Sequence, residues 1–351
     1  MGFGSPVYGG YRARMLIERV GFIGARGHTH YVFSGLERMP NVRLTVLADG
    51  APDCPVAPVA KWCAEHRHEP EMYPDWRDML DRAKPQAVVV CGPFEQRTTM
   101  AIEAIERGIH VFVEKTAALT FEDLEKLRAA HRAHPSVHLA CMMGHRYEPG
   151  IYTAAKLIRE GAIGDVRLFN ARKSYKLGKR DAFYSSRDTY GGTILWVGSH
   201  AIDWILWMSG QRITSVFASH SADHNDNNGT MERSAACLFE LTNGAIATAS
   251  LDLFRHANAP THGDDWIRVV GTAGTIEAKS GAVTLINANN DGGKPVEVAC
   301  DRQIFVDFIQ GIEGVRSPLI DAAQTLALTE ACLIARQSAD DRSVLRRQVG
   351  Y

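Results

Sequence analysis

The chain is predicted to be an α/β protein, in which a doubly wound parallel sheet is followed by an α/β domain with a large open, mainly antiparallel sheet. Its 351 residues exceed the ~250–300 residues at which one core usually splits, so two domains are expected. Apolar runs alternate with helical patterns through residues 19–143, as in parallel βαβ units. Beyond residue 144 strand-like runs dominate, and the Thr242-Asn243-Gly244 turn favours a hairpin.

The first domain, residues 19–143, is built from five apolar runs and the amphipathic segments between them. Strands are predicted at 20–23, 42–48, 87–91, 110–113 and 138–142. Helices are predicted at 29–39, 59–66, 76–83, 97–107 and 121–134. Thr120, with Asp123 three residues later, suits the N-cap of the last helix.

The second domain, residues 144–300, is expected to carry substrate and oligomer contacts, and residues 301–351 to form helices that pack back on the core. A helix is predicted at 151–160, followed by strands at 166–171, 213–219, 234–241, 245–253, 267–270, 275–278 and 283–286. The closing helices are predicted at 303–312 and 322–338. Residues 1–18 are predicted to be a flexible extension without the apolar centre of a signal peptide, and a start at Met15 is an alternative.

Composition narrows the class of protein. A net charge of −1 gives no global electrostatic reason to bind nucleic acid or an anionic membrane. Seven scattered cysteines without a CxxC pair indicate reduced thiols and a cytoplasmic protein. No apolar run approaches the ~18–20 residues that span a bilayer. The neighbouring cysteine and histidines near residue 65 lack a full ligand set, so no metal site is predicted.

The run at residues 109–113 ends in Glu114-Lys115-Thr116. The carboxyl ends of strands in an open parallel sheet line the ligand crevice, so Lys115 is a candidate to act on a bound substrate. A solvated charge pair at a strand end is the alternative.

The first strand-to-helix turn is a candidate dinucleotide site, although it departs from the usual GxGxxG. The turn comprises Gly24, Ala25, Arg26, Gly27, His28 and Thr29. Arg26 and Thr29 hold the second and third glycine positions, but the helix N-terminus still offers N–H groups to a phosphate. Arg26, with His28 or Thr29, could contact phosphate directly; a tight turn without a ligand is the alternative.

Asp49 closes the second predicted strand at the place where a carboxylate binds a ribose diol. A carboxylate there would repel a 2′-phosphate, which favours NAD, while Arg26 leaves NADP open. An exposed turn aspartate is the alternative, since Asp49-Gly50 also suits a turn.

The sequence resembles the Gfo/Idh/MocA family of sugar oxidoreductases over nearly all of residues 19–340. The motifs that carry the resemblance are VFVEKTAALTFEDLEKL at 111–127, MGHRYEP at 143–149, GAIGDV at 161–166 and GGTILWVGSHAIDW at 191–204. The resemblance implies a Rossmann domain, NAD(P)-dependent oxidation of a sugar or cyclitol hydroxyl (or the reverse reduction), and oligomerisation through the C-terminal sheet.

The resemblance also implies roles for single residues. Lys115 would lie beside the nicotinamide, and His200 would be the acid/base histidine. The other residues expected near the cofactor are Gly92, Pro93, Arg97, Glu114 and Arg146, the last also near substrate. A histidine titrates near ~6.5 and a free lysine near ~10.4, so His200 is the better proton acceptor and Lys115 would orient the substrate oxygen. From the residues alone, the favoured interpretation of His200 is a buried structural histidine at the start of a helix.

Two departures from the family pattern bear on the site. Trp196 stands where an aspartate is frequent and could stack on a sugar ring. Thr116 replaces a proline, so a trans Lys115–Thr116 peptide is expected, because a cis bond before a non-proline residue costs ~2.5–4 kcal/mol.

Tyr184, with Asp181 and Arg187, is a candidate to line the sugar site.

The sequence therefore predicts an NAD-dependent enzyme that acts on a sugar, sugar acid or cyclitol. A homo-oligomer, dimer or tetramer, is expected, with no nucleic-acid or membrane partner. Two alternatives stay open: a non-catalytic sensor that keeps the Rossmann pocket, and a lyase or hydrolase that uses bound NAD for transient oxidation.

Overall fold

The structure is a computed structural model and describes residues 16–351. Met15 and most of the predicted extension lie outside these residues. Residues 16–18, which the sequence placed in the extension, instead pack on the first domain. Ile17 is buried, and its N–H donates to the carboxylate of Glu313.

The N-terminal domain is a fully parallel, doubly wound sheet, as predicted, but with six strands instead of five, in the order β3-β2-β1-β4-β5-β6. Its strands are β1 (Arg19–Ile23), β2 (Arg43–Ala48), β3 (Glu71–Tyr73), β4 (Ala87–Val90), β5 (His110–Val113) and β6 (Leu139–Cys141). Its helices are α1 (Thr29–Leu36), α2 (Ala57–Glu65), α3 (Trp76–Arg82), α4 (Arg97–Glu106) and α5 (Phe121–Ala133). β3 was not predicted, because this three-residue edge strand buries only Tyr73 and leaves no apolar pattern.

The C-terminal domain has a nine-stranded sheet in the order β14-β13-β12-β11-β7-β10-β9-β8-β15, in which only β7 and β10 pair in parallel. The strands are β7 (Val166–Ser174), β8 (Ile213–Ser221), β9 (Ser234–Leu241), β10 (Ile246–Asp252), β11 (Trp266–Gly271), β12 (Gly274–Lys279), β13 (Ala282–Asn287), β14 (Asn290–Asp291) and β15 (Leu345–Val349). The helices are α6 (Pro149–Arg159), α7 (Arg187–Tyr190), α8 (Thr193–Trp196), α9 (Gly198–Ser209), α10 (Ile304–Ile312) and α11 (Ala322–Asp341). The predicted hairpin at Gly244 joins β9 and β10.

This domain differs from the prediction in several parts, since the short α7, α8 and β14 were not predicted. The last segment is not wholly helical, because β15 returns to the sheet and pairs with β8 at its edge. The extent of α9 was not predicted, because it is buried on nearly every side and so lacks the apolar stripe of a surface helix. α9 and α11 cover one sheet face, and Trp196 at the end of α8, just before α9, contacts Lys115 at the carboxyl end of β5.

Candidate functional site

Lys115 lies at the carboxyl end of β5, where the sequence placed it. Its side chain is buried, and Nζ donates a hydrogen bond to the carbonyl oxygen of Trp196 in the C-terminal domain. Burial lowers the pKa of Lys115 to about 8, against the raising effect of Glu114. An amine with this pKa is mostly protonated at neutral pH, so it can donate a hydrogen bond to a substrate oxygen, and it loses its proton more readily than an exposed lysine.

The peptide bond between Lys115 and Thr116 is cis, so the expected trans bond is wrong. Thr116 lacks the ring of proline, but contacts from α4 surround the turn. Arg97 Nη1 donates to the Lys115 carbonyl at 3.0 Å, and the Thr98 hydroxyl donates to the Ala117 carbonyl at 2.9 Å. Side chains of α4 therefore hold the backbone on both sides of this bond.

Glu114 fastens the glycine turn to the end of β5. Its Oε1 accepts hydrogen bonds from the His28 backbone N–H at 2.8 Å and from the His28 ring. Burial opposes its ionisation, but His28, Arg97 and Lys115 together lower the pKa of Glu114 to about 2. Gly27 has φ +121, and a Cβ there would lie 2.5 Å from the Glu114 side chain. Only glycine fits this approach.

The turn fits the pyrophosphate of a dinucleotide. Gly24 has φ +67, and a Cβ there would lie 2.7 Å from the Cys91 carbonyl oxygen, so the turn must be tight. Helix α1 begins at Thr29, and no side chain of the described residues caps its N-terminus. Its free first-turn N–H groups can therefore receive a phosphate.

A cavity of about 460 Å³ lies beside this turn and is partly walled by the C-terminal domain. Arg26 pairs with Asp53 at 3.1 Å, and its guanidinium lies 3.9 Å from the centroid of the Phe183 ring. The exposed Asp49 uses Oδ1 to accept from the Val56 N–H at 2.7 Å, which leaves Oδ2 for a ligand. Asp53 and Phe183 were missed, because nothing in their local sequence marks them as neighbours of Arg26.

The glycine turn is held by buried residues of the β4 loop and the start of α4, namely Gly92, Pro93 and Arg97. Arg97 Nε donates to the Gly92 carbonyl at 3.0 Å, and Nη2 donates to the Arg26 carbonyl at 3.1 Å. The Arg97 guanidinium therefore joins the glycine turn, the β4 loop and the β5 loop.

His200 lies in the first turn of α9 and is 2% exposed. Its ring centroid is 4.0 Å from that of His145. Burial and then the positive charges of neighbours, including Lys173 and Lys115, hold the pKa of His200 well below its usual value. Its Nδ1 is buried and has no hydrogen-bond partner among residues 16–351. His200 is therefore a neutral imidazole with a free ring nitrogen beside Lys115.

Three further charged or titratable side chains surround this histidine and were missed from the sequence. Lys173 is fully buried in β7, and its Nζ lies 2.5 Å from Asp265 Oδ2 and 3.4 Å from His145 Nε2. Burial lowers the pKa of Lys173 to about 8, against the raising effect of Asp265. A lysine inside a strand was the available signal, since β7 otherwise turns its charged side chains outward.

Arg146 is not brought to this cluster. Its guanidinium is fully buried and pairs with Asp203 of α9, with Nε 2.9 Å from Oδ2 and Nη2 2.5 Å from Oδ1. The Tyr351 hydroxyl donates to the same carboxylate at 2.6 Å. The resemblance placed the Arg146 guanidinium near cofactor and substrate. In the structure it pairs with Asp203 of α9, which also binds Tyr351.

Trp196 and Tyr184 form an aromatic wall, with ring centroids 4.4 Å apart. The guanidinium of Arg180 lies 4.7 Å from the centroid of the Trp196 ring. Arg187 points elsewhere and pairs with Glu232 and Asp340, while Asp181 borders the cavity beside Arg26.

Within residues 16–351, no three histidine, cysteine, aspartate or glutamate side chains are grouped so that they could hold a metal ion. Over the same part of the chain, none of the helices has both the length and the apolar character to cross a membrane.

Comparisons with known proteins agree with this geometry. Residues 18–144 match the oxidoreductase family with an NAD-binding Rossmann fold, and residues 151–277 match the GFO/IDH/MocA C-terminal domain. A solved structure of a Thermotoga maritima protein assigned as an oxidoreductase is 41% identical, with a TM-score of 0.90, over 94% of this chain and all of that one.

Two more distant relatives are also oxidoreductases by name. The Bacillus subtilis oxidoreductase YrbE, itself uncharacterised, is 25% identical over 77% of this chain and 76% of its own length. The aldose-aldose oxidoreductase of Caulobacter crescentus, solved with glycerol, is 19% identical with a TM-score of 0.79, over 94% of this chain and all of that one, which shows the fold alone. This chain therefore belongs to the Gfo/Idh/MocA oxidoreductase family and has its NAD-binding Rossmann domain.

Proposed function

We propose that the protein transfers a hydride between NAD and a secondary hydroxyl or carbonyl group of a sugar, sugar acid or cyclitol. The observation that carries the proposal is the convergence of Lys115 and His200 from different domains, beside the aromatic wall of Trp196. Aromatic faces suit the apolar side of a sugar ring, and a neutral imidazole next to a buried ammonium suits a hydroxyl that must lose its proton.

The residues divide the work as follows. The nicotinamide, when bound, supplies the hydride acceptor or donor. His200 takes the hydroxyl proton, because its ring is held neutral by burial and has a free nitrogen. Lys115 donates a hydrogen bond to the same oxygen and stabilises the negative charge that develops as the O–H bond breaks. The packing of both groups excludes water from the reacting atoms.

Other residues hold the cofactor. The N-terminus of α1 and the Gly24–Gly27 turn would hold the pyrophosphate, and Asp49 would accept from the ribose hydroxyls. Arg26 is already paired with Asp53, so its charge is compensated and does little to attract a 2′-phosphate. NAD is therefore preferred over NADP, and we expect Asp49→Ser to raise affinity for NADPH relative to NADH.

The roles of Lys115 and His200 are tested by Lys115→Met and His200→Ala, assayed with NAD on a broad panel of sugars and polyols. Each change should lower turnover by at least ~10²-fold, the size typical of lost acid–base help. Lys126→Met is the matched control, since Lys126 is an exposed lysine that pairs with the exposed Glu122. Near wild-type turnover in both site variants would contradict the assigned roles.

A fluorescence titration with NADH separates the alternatives. Binding without turnover on the whole panel would favour a sensor. Cofactor that stays bound through purification, with product formed but no net NADH, would favour a lyase or hydrolase.

Self-association through the open face of the C-terminal sheet is part of the proposal. The face exposes Phe217, Leu238 and Ile246, each more than two-fifths accessible. Exposed apolar side chains grouped on one sheet face are typical of protein interfaces.

A further inference from the structure

A row of three titratable side chains runs from the buried site to the surface. His200 is 2% exposed, and its ring centroid lies 4.0 Å from that of His145. His145 Nδ1 lies 3.3 Å from Glu148 Oε1, and the Glu148 side chain is 51% exposed. Transfer between His145 and Glu148 needs only a direct hydrogen bond, whereas transfer between the two rings needs one intervening water, because His200 Nδ1 has no hydrogen-bond partner among residues 16–351. The row therefore joins His200 to solvent.

The surroundings of His200 create a need for this row. Burial and neighbouring cations hold the pKa values of both His200 and His145 well below their usual range, so neither ring holds a second proton for long. Partial burial, opposed by Lys173 and helped by Asp265, raises the pKa of Glu148 to about 7. A carboxylate with this pKa both accepts and releases protons at neutral pH, and it is the accessible end of the row.

Lys173 and Asp265 position the middle histidine. Asp265 Oδ2 lies 3.6 Å from His145 Nδ1 and 2.5 Å from Lys173 Nζ. Lys173 Nζ lies 3.4 Å from His145 Nε2. The ammonium disfavours a resident proton on His145, and the carboxylate faces the ring nitrogen nearest Glu148. Asp265, immediately before β11, thus provides a carboxylate near the site, where Trp196 provides none.

We propose that protons released at His200 leave the site through His145 to Glu148 and then to solvent, with Lys173 and Asp265 as positioning residues. In the oxidation direction the substrate O–H bond breaks and an N–H bond forms on His200. His200 then passes a proton to His145, which passes one to Glu148, and Glu148 gives it to water. Each group returns to its starting protonation state, and reduction runs the same path backwards.

The groups around the row come from both domains. Those facing His145 are His28, Lys115, Lys173, His200, Asp265 and Glu148. Those facing Glu148 are Tyr31, His145, Lys173, Tyr175 and Asp265.

The relay rests on the proposed function, and its first test is Glu148→Gln compared with Glu160→Gln at the other end of α6. The two carboxylates are similarly exposed, and Glu148 makes no side-chain cap of the helix among the described residues. We expect E148Q to lower turnover near pH 7 about tenfold or more and to flatten the pH profile there. Imidazole buffer should restore the turnover of E148Q, and the conservative variant Glu148→Asp should keep most of the wild-type turnover. E160Q should behave as wild type. Wild-type turnover and pH profile in E148Q, or a loss that imidazole does not rescue, would overturn the relay.

A second measurement does not depend on turnover. In NADH-loaded protein with ¹⁵N-labelled histidine, the His145 ring signals should report a titration near pH 7 that disappears in E148Q and persists in E160Q. If wild type turns over nothing on the panel, the proposed function fails. The ¹⁵N titration still tests the relay in that case, because identical His145 signals in wild type and E148Q would refute it.

Discussion

Asp203→Asn tests whether the buried ion pair with Arg146 holds α9 against the rest of the molecule. Both side chains are fully buried, and Arg146 makes three contacts of 2.5–3.1 Å with the carboxylate. Asparagine keeps the shape but removes the negative charge. The guanidinium, whose pKa is raised by Asp203 despite its burial, would then remain charged without a counter-ion.

The size of the effect follows from that isolation. Removing one partner of a buried pair costs about 3–5 kcal/mol, because the other charge stays desolvated and uncompensated. At an unfolding entropy of about 2.1 cal/mol/K per residue, the 351 residues shift by about 1.4 °C per kcal/mol, so the unfolding midpoint should fall by about 4–7 °C.

Calorimetry or thermal circular dichroism measures this shift. Glu122→Gln, which removes one partner of the exposed pair with Lys126, should leave the midpoint unchanged. The double variant Arg146→Met with Asp203→Leu removes both charges and should recover much of the loss. A midpoint for Asp203→Asn within error of the wild type, or a double variant less stable than the single one, would refute the reasoning.

Three other predictions concern the turn, the buried lysine and the open sheet. Gly27→Ala places a methyl group 2.5 Å from the Glu114 side chain, so NADH affinity measured by fluorescence should fall while Gly108→Ala, with open space around it, keeps it. Lys115 has a folded pKa of about 8, below its unfolded ~10.4, so the folded state binds fewer protons and the free energy of unfolding should rise between pH 8 and 10. This rise should shrink in Lys115→Met under chemical denaturation. Phe217→Glu, on the open sheet face, should reduce the assembly size measured by light scattering, and an unchanged mass would argue against that interface.

The fold could be predicted largely because its elements carry local patterns. The β4 and β5 runs are wholly buried and short, which is typical of parallel strands. β15 could not be predicted, because only two of its five residues are shielded at all and its pairing with β8 is non-local. α9 was recognised only at its start, because a helix buried all round shows no periodicity.

The same contrast between local sequence patterns and non-local contacts applies to the candidate site. Lys115 follows a recognisable strand, so its place could be predicted from position alone. The pairing of Arg146 with Asp203 could not, because the two lie 57 residues apart and only the packing of α9 joins them. Lys173 lies in β7 and Asp265 immediately precedes β11, and their ion pair forms only because β11 pairs with β7, a contact that the sequence does not predict.

The interface charges explain why the site tolerates an indole at position 196. Lys115 and Lys173 are both buried there, and each would be strongly disfavoured without a nearby carboxylate. Glu114 lies next to Lys115 in the N-terminal domain, and Asp265 serves Lys173 from the C-terminal domain. Because each domain supplies its own counter-charge, the loss of a carboxylate at 196 leaves no buried lysine unpaired. The Nδ1 of His200 has no hydrogen-bond partner among residues 16–351, so it is free for substrate or for the path through His145.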